Sequence, residues 1–452
     1  MKRTFVSVTL AAAILLGACG GESSLPEATG KASISAINAV KTAPEVAFLI
    51  EKRRLGTAAY TRATSATPFD DLSYTFNFEL FYSGETEIRN LASVSQDIVK
   101  DTDYIFVLTG TLADASVLVW ETPEREFTGT ETFFEARFAH TADSLGSVDY
   151  YFAAPGVAPA ADNAVGTLAF GDVLTLGDFE AGDYVLTITA AGMPGDVLYQ
   201  SATTTFVAAT QYIMSSFDGD ASTFAPIIAR AIVSGTGSAG GSLRMPDANY
   251  PATVEFVNGS LAIGTVDIYE DALLTSQLVA GHAYKDISAE FELAAGDNPV
   301  LYTPTTLLSP VLIDDTLNFA LGTRGRAVAY GPADNLEIKA YLPDRRSVES
   351  QAGLQFFNAV TNFGLINVYV VETGTTIVGK VAIRPAIPGG FVVQVIGLKP
   401  GSFDIYVTQF GETDILAGPV RIDVERGDVL EGMIFDTVDP ATLEINFFPN
   451  NP

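Results

Sequence analysis

The sequence predicts an all-β protein: four tandem immunoglobulin-like antiparallel β-sandwich modules after a lipoprotein signal peptide. Three observations lead there. Runs rich in Val, Ile, Phe, Tyr and Thr carry apolar residues at every second position, the period of a half-buried strand. A two-strand signature recurs four times, which marks internal duplication. An apolar run near the start leads into the only cysteine of the 452-residue chain.

The N-terminus comes first. Lys2 and Arg3 precede the apolar run from Phe5 to Leu16, and small residues follow it. A basic start, a short apolar core and small residues before a cut site make a secretory signal peptide. The run falls short of the roughly 18 residues that span a bilayer. Leu16-Gly17-Ala18-Cys19 resembles the lipobox of bacterial lipoproteins. That resemblance implies removal of residues 1–18, lipidation of Cys19 and anchoring to the membrane through the N-terminal lipid. Gly20, rather than Asp, after the cysteine implies the outer membrane, on its periplasmic or its surface-exposed side. Residues 19–31 read as a flexible tether. With Cys19 acylated no thiol remains for a disulfide, so stability has to come from hydrophobic cores.

In the strand run Ser73 to Phe81, Phe76, Phe78 and Leu80 fall on one face, and Asn77 and Glu79 on the other. Ala289 to Leu293 and Ser402 to Val407 repeat the pattern, and Gly182-Asp183, Gly296-Asp297 and Pro400-Gly401 punctuate it. The duplicated signature reads SAINAVKTAPEVAFLI from Ser35, RFAHTADSLGSVDYYF from Arg137, EFVNGSLAIGTVDIYE from Glu255 and QFFNAVTNFGLINVYV from Gln355. A first strand ends at Asn38, His140, Asn258 or Asn358, and a Val or Ile opens the second strand eight residues later in every copy. The spacing predicts modules over 32–123, 133–234, 251–343 and 352–450, each of the size of an immunoglobulin-like sandwich. The second interval is longer by the Gly/Ser-rich segment Gly235 to Tyr250, which reads as an inserted linker. Four modules in a row are expected, giving an elongated particle.

The segment Phe138 to Phe152 resembles the signature of the DUF-4397 type, an envelope-associated bacterial domain of unknown function. Members carry a His-Ala-Ser-Pro-like strand end and a Val-Asp-Val-Tyr-like second strand. Glu180 to Thr189 and Lys399 to Thr408 are similar to its later Gly-x-Tyr strand. The loop proline is missing here, and Asn replaces His in three copies. The resemblance implies an extracytoplasmic β-sandwich array and brings no activity with it.

With 25 basic and 54 acidic residues the net charge is −29, which excludes nucleic acid as a natural partner. Only two histidines are present. His140 stands where its sister copies place asparagine, a residue that is no general base, so its expected role is to end a strand and tie down the next loop. His282 is expected on an exposed loop, and Trp120 in a core or a module joint. Zinc sites of histidine and cysteine are excluded by count. Calcium is the ion that the carboxylates of Asp218, Asp70-Asp71 and Asp314-Asp315 would suit. No catalytic, metal or cofactor-binding residue is assigned. The expected function is a non-enzymatic cell-envelope lipoprotein whose modules serve as a spacer, adhesive or binding rod, with envelope proteins or polysaccharide as partners. The alternatives are an assembly subunit for polysaccharide or outer-membrane partners and, less favoured, a carbohydrate-active hydrolase using a carboxylate pair.

Overall fold

The computed structural model describes residues 27–449 except Thr236; Cys19 and the expected signal peptide lie outside the described residues. Each duplicated unit forms two sheets. In module 1 one sheet runs in the order Thr67–Asp70, Lys31–Asn38, Thr102–Gly110, Ala115–Pro123. The other runs Arg53–Ala58, Val46–Ile50, Ser73–Phe81, Ile88–Asp97. Phe48, Phe76 and Phe106 meet between them, with Phe76 stacked on Phe106 at 3.9 Å between ring centroids. The other modules repeat the plan around their own cores, of which Phe138, Phe256 and Phe356 are members. The chain is therefore an all-β array of tandem sandwiches.

The sandwiches are not antiparallel throughout. In every module the strand that ends in the signature Asn or His runs parallel to a strand near the module's end: Lys31–Asn38 beside Thr102–Gly110, Phe133–His140 beside Gln211–Asp218, Ala252–Asn258 beside Arg324–Tyr330, and Ala352–Asn358 beside Val429–Asp436. These strands are buried on both faces, which suits parallel pairing. Both faces are buried because the modules stack in pairs. Outer-face residues Ile37, Val107 and Trp120 of module 1 pack on Ala139, Ile213 and Ile232 of module 2. Val257 and Val328 of module 3 pack on Phe357, Met433 and Phe435 of module 4. Each pair is thus four sheets deep.

Each interface between paired modules also holds a buried arginine. Arg137 of module 2 donates from Nε to Glu135 at 2.6 Å, from Nη1 to Asp103 of module 1 at 3.1 Å, and from Nη2 to the carbonyl of Pro123 at 2.7 Å. In the second pair, Arg326 of module 3 bridges Glu255 and Glu431 of module 4, and the Tyr341 hydroxyl donates to Glu431. A charge out of water is tolerated only where such partners meet it.

The expected row of four is corrected by contacts between the pairs. Ser83 Oγ donates to Gly397 O at 3.2 Å and Arg426 pairs with Glu85 at 2.9 Å, so modules 1 and 4 touch. The joint between modules 3 and 4 also rests on module 1, where Ser83 N donates to Ser350 O at 3.1 Å and Arg346 Nη1 to Ala43 O at 2.6 Å. Arg324 of module 3 donates to Ala221 O of module 2 at 3.1 Å and lies 4.1 Å over the Phe224 ring. The chain folds back on itself, and its two pairs lie side by side.

The Gly235 to Tyr250 linker is corrected as well. Ser242–Met245 is the edge strand of the module 2 sheet, paired with Ile227–Ser234, and Met245 is buried in the module 2 core. Module 2 therefore extends beyond 234. The turn before this strand is docked on module 1, where Ala66 N donates to Ser238 O at 2.9 Å. A Cβ on Gly240, whose φ is 71°, would lie 2.6 Å from the Thr64 carbonyl oxygen. Composition suggested a spacer because glycine is needed here for close approach.

Replacing Arg137 with Ala leaves Glu135 and Asp103 buried with less compensation, and is expected to destabilise the first pair by about 3–5 kcal/mol. Urea unfolding of the variant checks this, and a loss below about 1 kcal/mol would contradict it.

Candidate functional site

The four signature residues are fully buried at the ends of their strands. Asn38 Nδ2 donates to the carbonyl of Pro44 at 3.1 Å, and Asn258 Nδ2 to that of Gly264 at 2.7 Å. His140 Nε2 makes the same reach, to Gly146 O at 3.0 Å. Asn358 Nδ2 donates to Ile387 O at 3.1 Å, and in the three asparagine copies Oδ1 accepts the backbone N–H two residues on. Each side chain holds the loop into the second sheet by backbone bonds. The neutral His140 ring donates from Nε2, so its Nδ1 accepts from the Ser216 hydroxyl at 2.9 Å.

A serine beside a histidine invites a catalytic reading, and the geometry counts against it. Ser216 and His140 are both fully buried, the Tyr150 hydroxyl lies 2.8 Å from Ser216 Oγ, and a carbonyl rather than a carboxylate orients the ring. Burial lowers the His140 pKa from its usual 6.5, against the raising influence of the Gly146 bond and of Asp218 and Asp172.

His282 is not on an exposed loop. It ends the strand Gln277–His282 opposite Val266, is 4% exposed, and its carbonyl accepts from Asn258 Nδ2 at 3.2 Å. Pairing with the second signature strand draws it inward. Trp120 sits in the joint between modules 1 and 2, its indole donating to Gly171 O at 2.8 Å. Of the carboxylates considered for calcium, four make local bonds. Asp218 accepts from Asp143 N and Ser144 N, and Asp71 from Thr29 N and Gly30 N. Asp70 pairs with Lys31, and Asp315 accepts from Thr316 N. Among the described residues no three His, Cys, Asp or Glu side chains gather as metal ligands.

The strongest concentration of chemistry is a cavity of about 340 Å³ where modules 1, 2 and 3 meet. Arg62 of module 1, Arg230 and Arg244 of module 2 and Arg324 of module 3 line it. Arg230 and Arg244 are direct cross-strand partners, so their side chains share one face of the sheet. Like charges placed so destabilise a sheet. Arg324 is matched by Glu290 at 2.6 Å. Among the described residues the acceptors of Arg62 and Arg230 are hydroxyls, Ser242 and Thr61, both at 2.7 Å. Among the described residues neither they nor Arg244 enters an ion pair. Burial first, then the charges of Arg62 and Arg244, bring the Arg230 pKa down to about 10, with Asp220 opposing.

One carboxylate lines the same cavity. Asp247 is 3% exposed; its Oδ1 accepts from Asn249 N at 2.9 Å, its Oδ2 is sealed from solvent without a hydrogen-bond partner among the described residues, and burial raises its pKa. Sequence reading passed over this site because its arginines come from three modules and form no motif. The available signal was Arg230, a charge inside the apolar strand Ile227–Ser234.

No protein-family model matches the chain, and no curated protein gives a significant match. Among solved structures, the Bacillus anthracis TIE protein aligns over 90% of this chain and 69% of its own, with 10% identity and a TM-score of 0.15. A carbohydrate-binding module of family CBM26 from Eubacterium rectale Amy13K, in complex with maltoheptaose, aligns over 44% of this chain and 97% of its own, with 14% identity and a TM-score of 0.15. Neither similarity is close enough to bear on the function of this chain.

Exchanging His140 for Asn is expected to leave module 2 nearly as stable, because Asn makes the same loop bond in the sister copies. Exchange for Ala is expected to cost about 1–3 kcal/mol through lost partners. The pH dependence separates the variants. A buried histidine with a lowered pKa contributes full stability above its unfolded value near 6.5, and loses it as pH falls toward the folded value. Wild type should therefore lose more stability than His140→Asn between pH 7.5 and 5.5. Thermal melts at the two pH values check this, and equal losses would contradict it.

Proposed function

We propose that this chain is a non-enzymatic lipoprotein of the cell envelope, held to the outer membrane through lipidated Cys19, whose modules form a fixed binding platform. The observation that carries the reading is the arginine-lined cavity at the meeting of modules 1, 2 and 3. Its charged groups come from three modules, so the site depends on how the array is folded together. This favours binding over a simple spacer, and the contacts between modules 1 and 4 favour a compact platform over a rod. The lipobox supports the anchor, and the DUF-4397 resemblance supports an extracytoplasmic array.

An assembly subunit serving polysaccharide or outer-membrane partners would share the same anchor and platform. A hydrolase has less support. A glycosidase needs two carboxyl groups facing one cleft, whereas a single carboxylate, Asp247, lines this one. Ser216 and His140 are sealed from any substrate.

Replacing Cys19 with Ser is expected to move the protein from the membrane to the soluble fraction, or to leave an unprocessed precursor. Fractionation with intact-mass measurement tests it. Unchanged mass and unchanged membrane partition would overturn the lipoprotein reading.

A further inference from the structure

We propose that the cavity between modules 1, 2 and 3 binds an acidic sugar, a hydroxyl-rich ring carrying a carboxylate or sulfate group. The inference deepens the binding-platform reading and rests on it. The anionic half follows from charge. In a chain with 54 acidic residues, Arg62, Arg230 and Arg244 converge without an ion-pair partner among the described residues, and two of them are set directly opposite each other on adjacent strands. A bound oxyanion relieves this repulsion, and guanidinium forks match carboxylate or sulfate oxygens in pairs. Ser242 and Thr61 already hold Arg62 and Arg230 in place, so these side chains are oriented before any ligand arrives.

The sugar half follows from the rest of the lining. A volume of about 340 Å³ exceeds what one inorganic ion fills, and lies in the range of small-molecule sites, about 300–1,000 Å³. Thr223, Thr323 and Ser242 offer hydroxyls along the wall. Arginines for an acidic group and hydroxyls for a sugar are thus present in one cavity.

The test is calorimetric titration of the lipidated protein in detergent at low salt with glucuronate, glucose 6-sulfate, glucose and inorganic sulfate, followed by thermal melts with each. Binding and a raised melting temperature are expected with glucuronate or glucose 6-sulfate. At least tenfold weaker binding is expected with glucose and with sulfate alone. Arg244→Gln should weaken acidic-sugar binding at least tenfold while its ligand-free melting temperature stays level or rises, since a like charge has been removed; Arg62→Gln should weaken binding in the same direction. Three results would overturn the proposal: no acidic sugar bound, sulfate bound as tightly as the sugars, or binding unchanged in both variants. An Arg244→Gln protein that melts earlier without ligand would point to a structural arginine and would also count against it. Membrane partition of Cys19→Ser is read on separate samples, so failure of the sugar leaves the lipoprotein reading standing, and failure of the anchor leaves the cavity's ligand untouched.

Discussion

An arginine between stacked sheets has to meet acceptors from both, and Arg137 does. It joins Glu135 of its own strand to Asp103 and the Pro123 carbonyl of the neighbouring module. Such a group contributes less through net energy than through specificity, because a sliding or tilting of the two sheets would leave charges buried and unmatched. Arg326 performs the equivalent task between modules 3 and 4 with Glu255 and Glu431. Around each arginine lies an apolar interface that covers the outer face of the parallel-paired sheet. Once that face is covered, the strands on it are buried twice, and the pair behaves as a unit four sheets deep.

The other features follow from this stacking. With modules 1 and 2 fixed face to face, Tyr60 reaches the carbonyl of Asp218 at 2.6 Å, and the turn at Ser238 to Gly240 rests on module 1. That turn carries Ser242–Met245 to the sheet edge and brings Arg244 opposite Arg230. The second pair supplies Arg324 from its own sheet. A positively charged cavity in a strongly acidic protein therefore arises from the joining of modules, with each contributing one or two side chains.

Much of the fold was legible in the sequence where one sheet face meets water. Phe76, Phe78 and Leu80 alternate with Asn77 and Glu79, and the burial along Ser73–Phe81 alternates with them. The eight-residue offset also held its meaning: strands open at Val46, Val148 and Val266, and at Leu365 just before Ile366. The signal failed where both faces are buried. Phe133–His140 carries Glu135 and Arg137 on what a period-two reading takes as the solvent side, and that side is the joint with module 1. Parallel pairing was illegible for the same reason, since it depends on strands about seventy residues or more apart. Composition misled at Gly235 to Tyr250, where Leu243 and Met245 alternate with Ser242 and Arg244 beneath a glycine-rich surround. The cavity was the least legible feature, because arginines as distant as Arg62 and Arg324 come together only through the folding back of the whole array.

The arrangement of the four modules is the claim on which the cavity and the platform both depend. Small-angle X-ray scattering from the chain produced from residue 27 onward tests it most directly. Two face-to-face pairs lying side by side predict a radius of gyration near that of one compact body of this length, about 22 Å, with a single-peaked distance distribution. A substantially larger radius, with a distance distribution drawn into a long tail, would show four modules strung in a row and contradict the account.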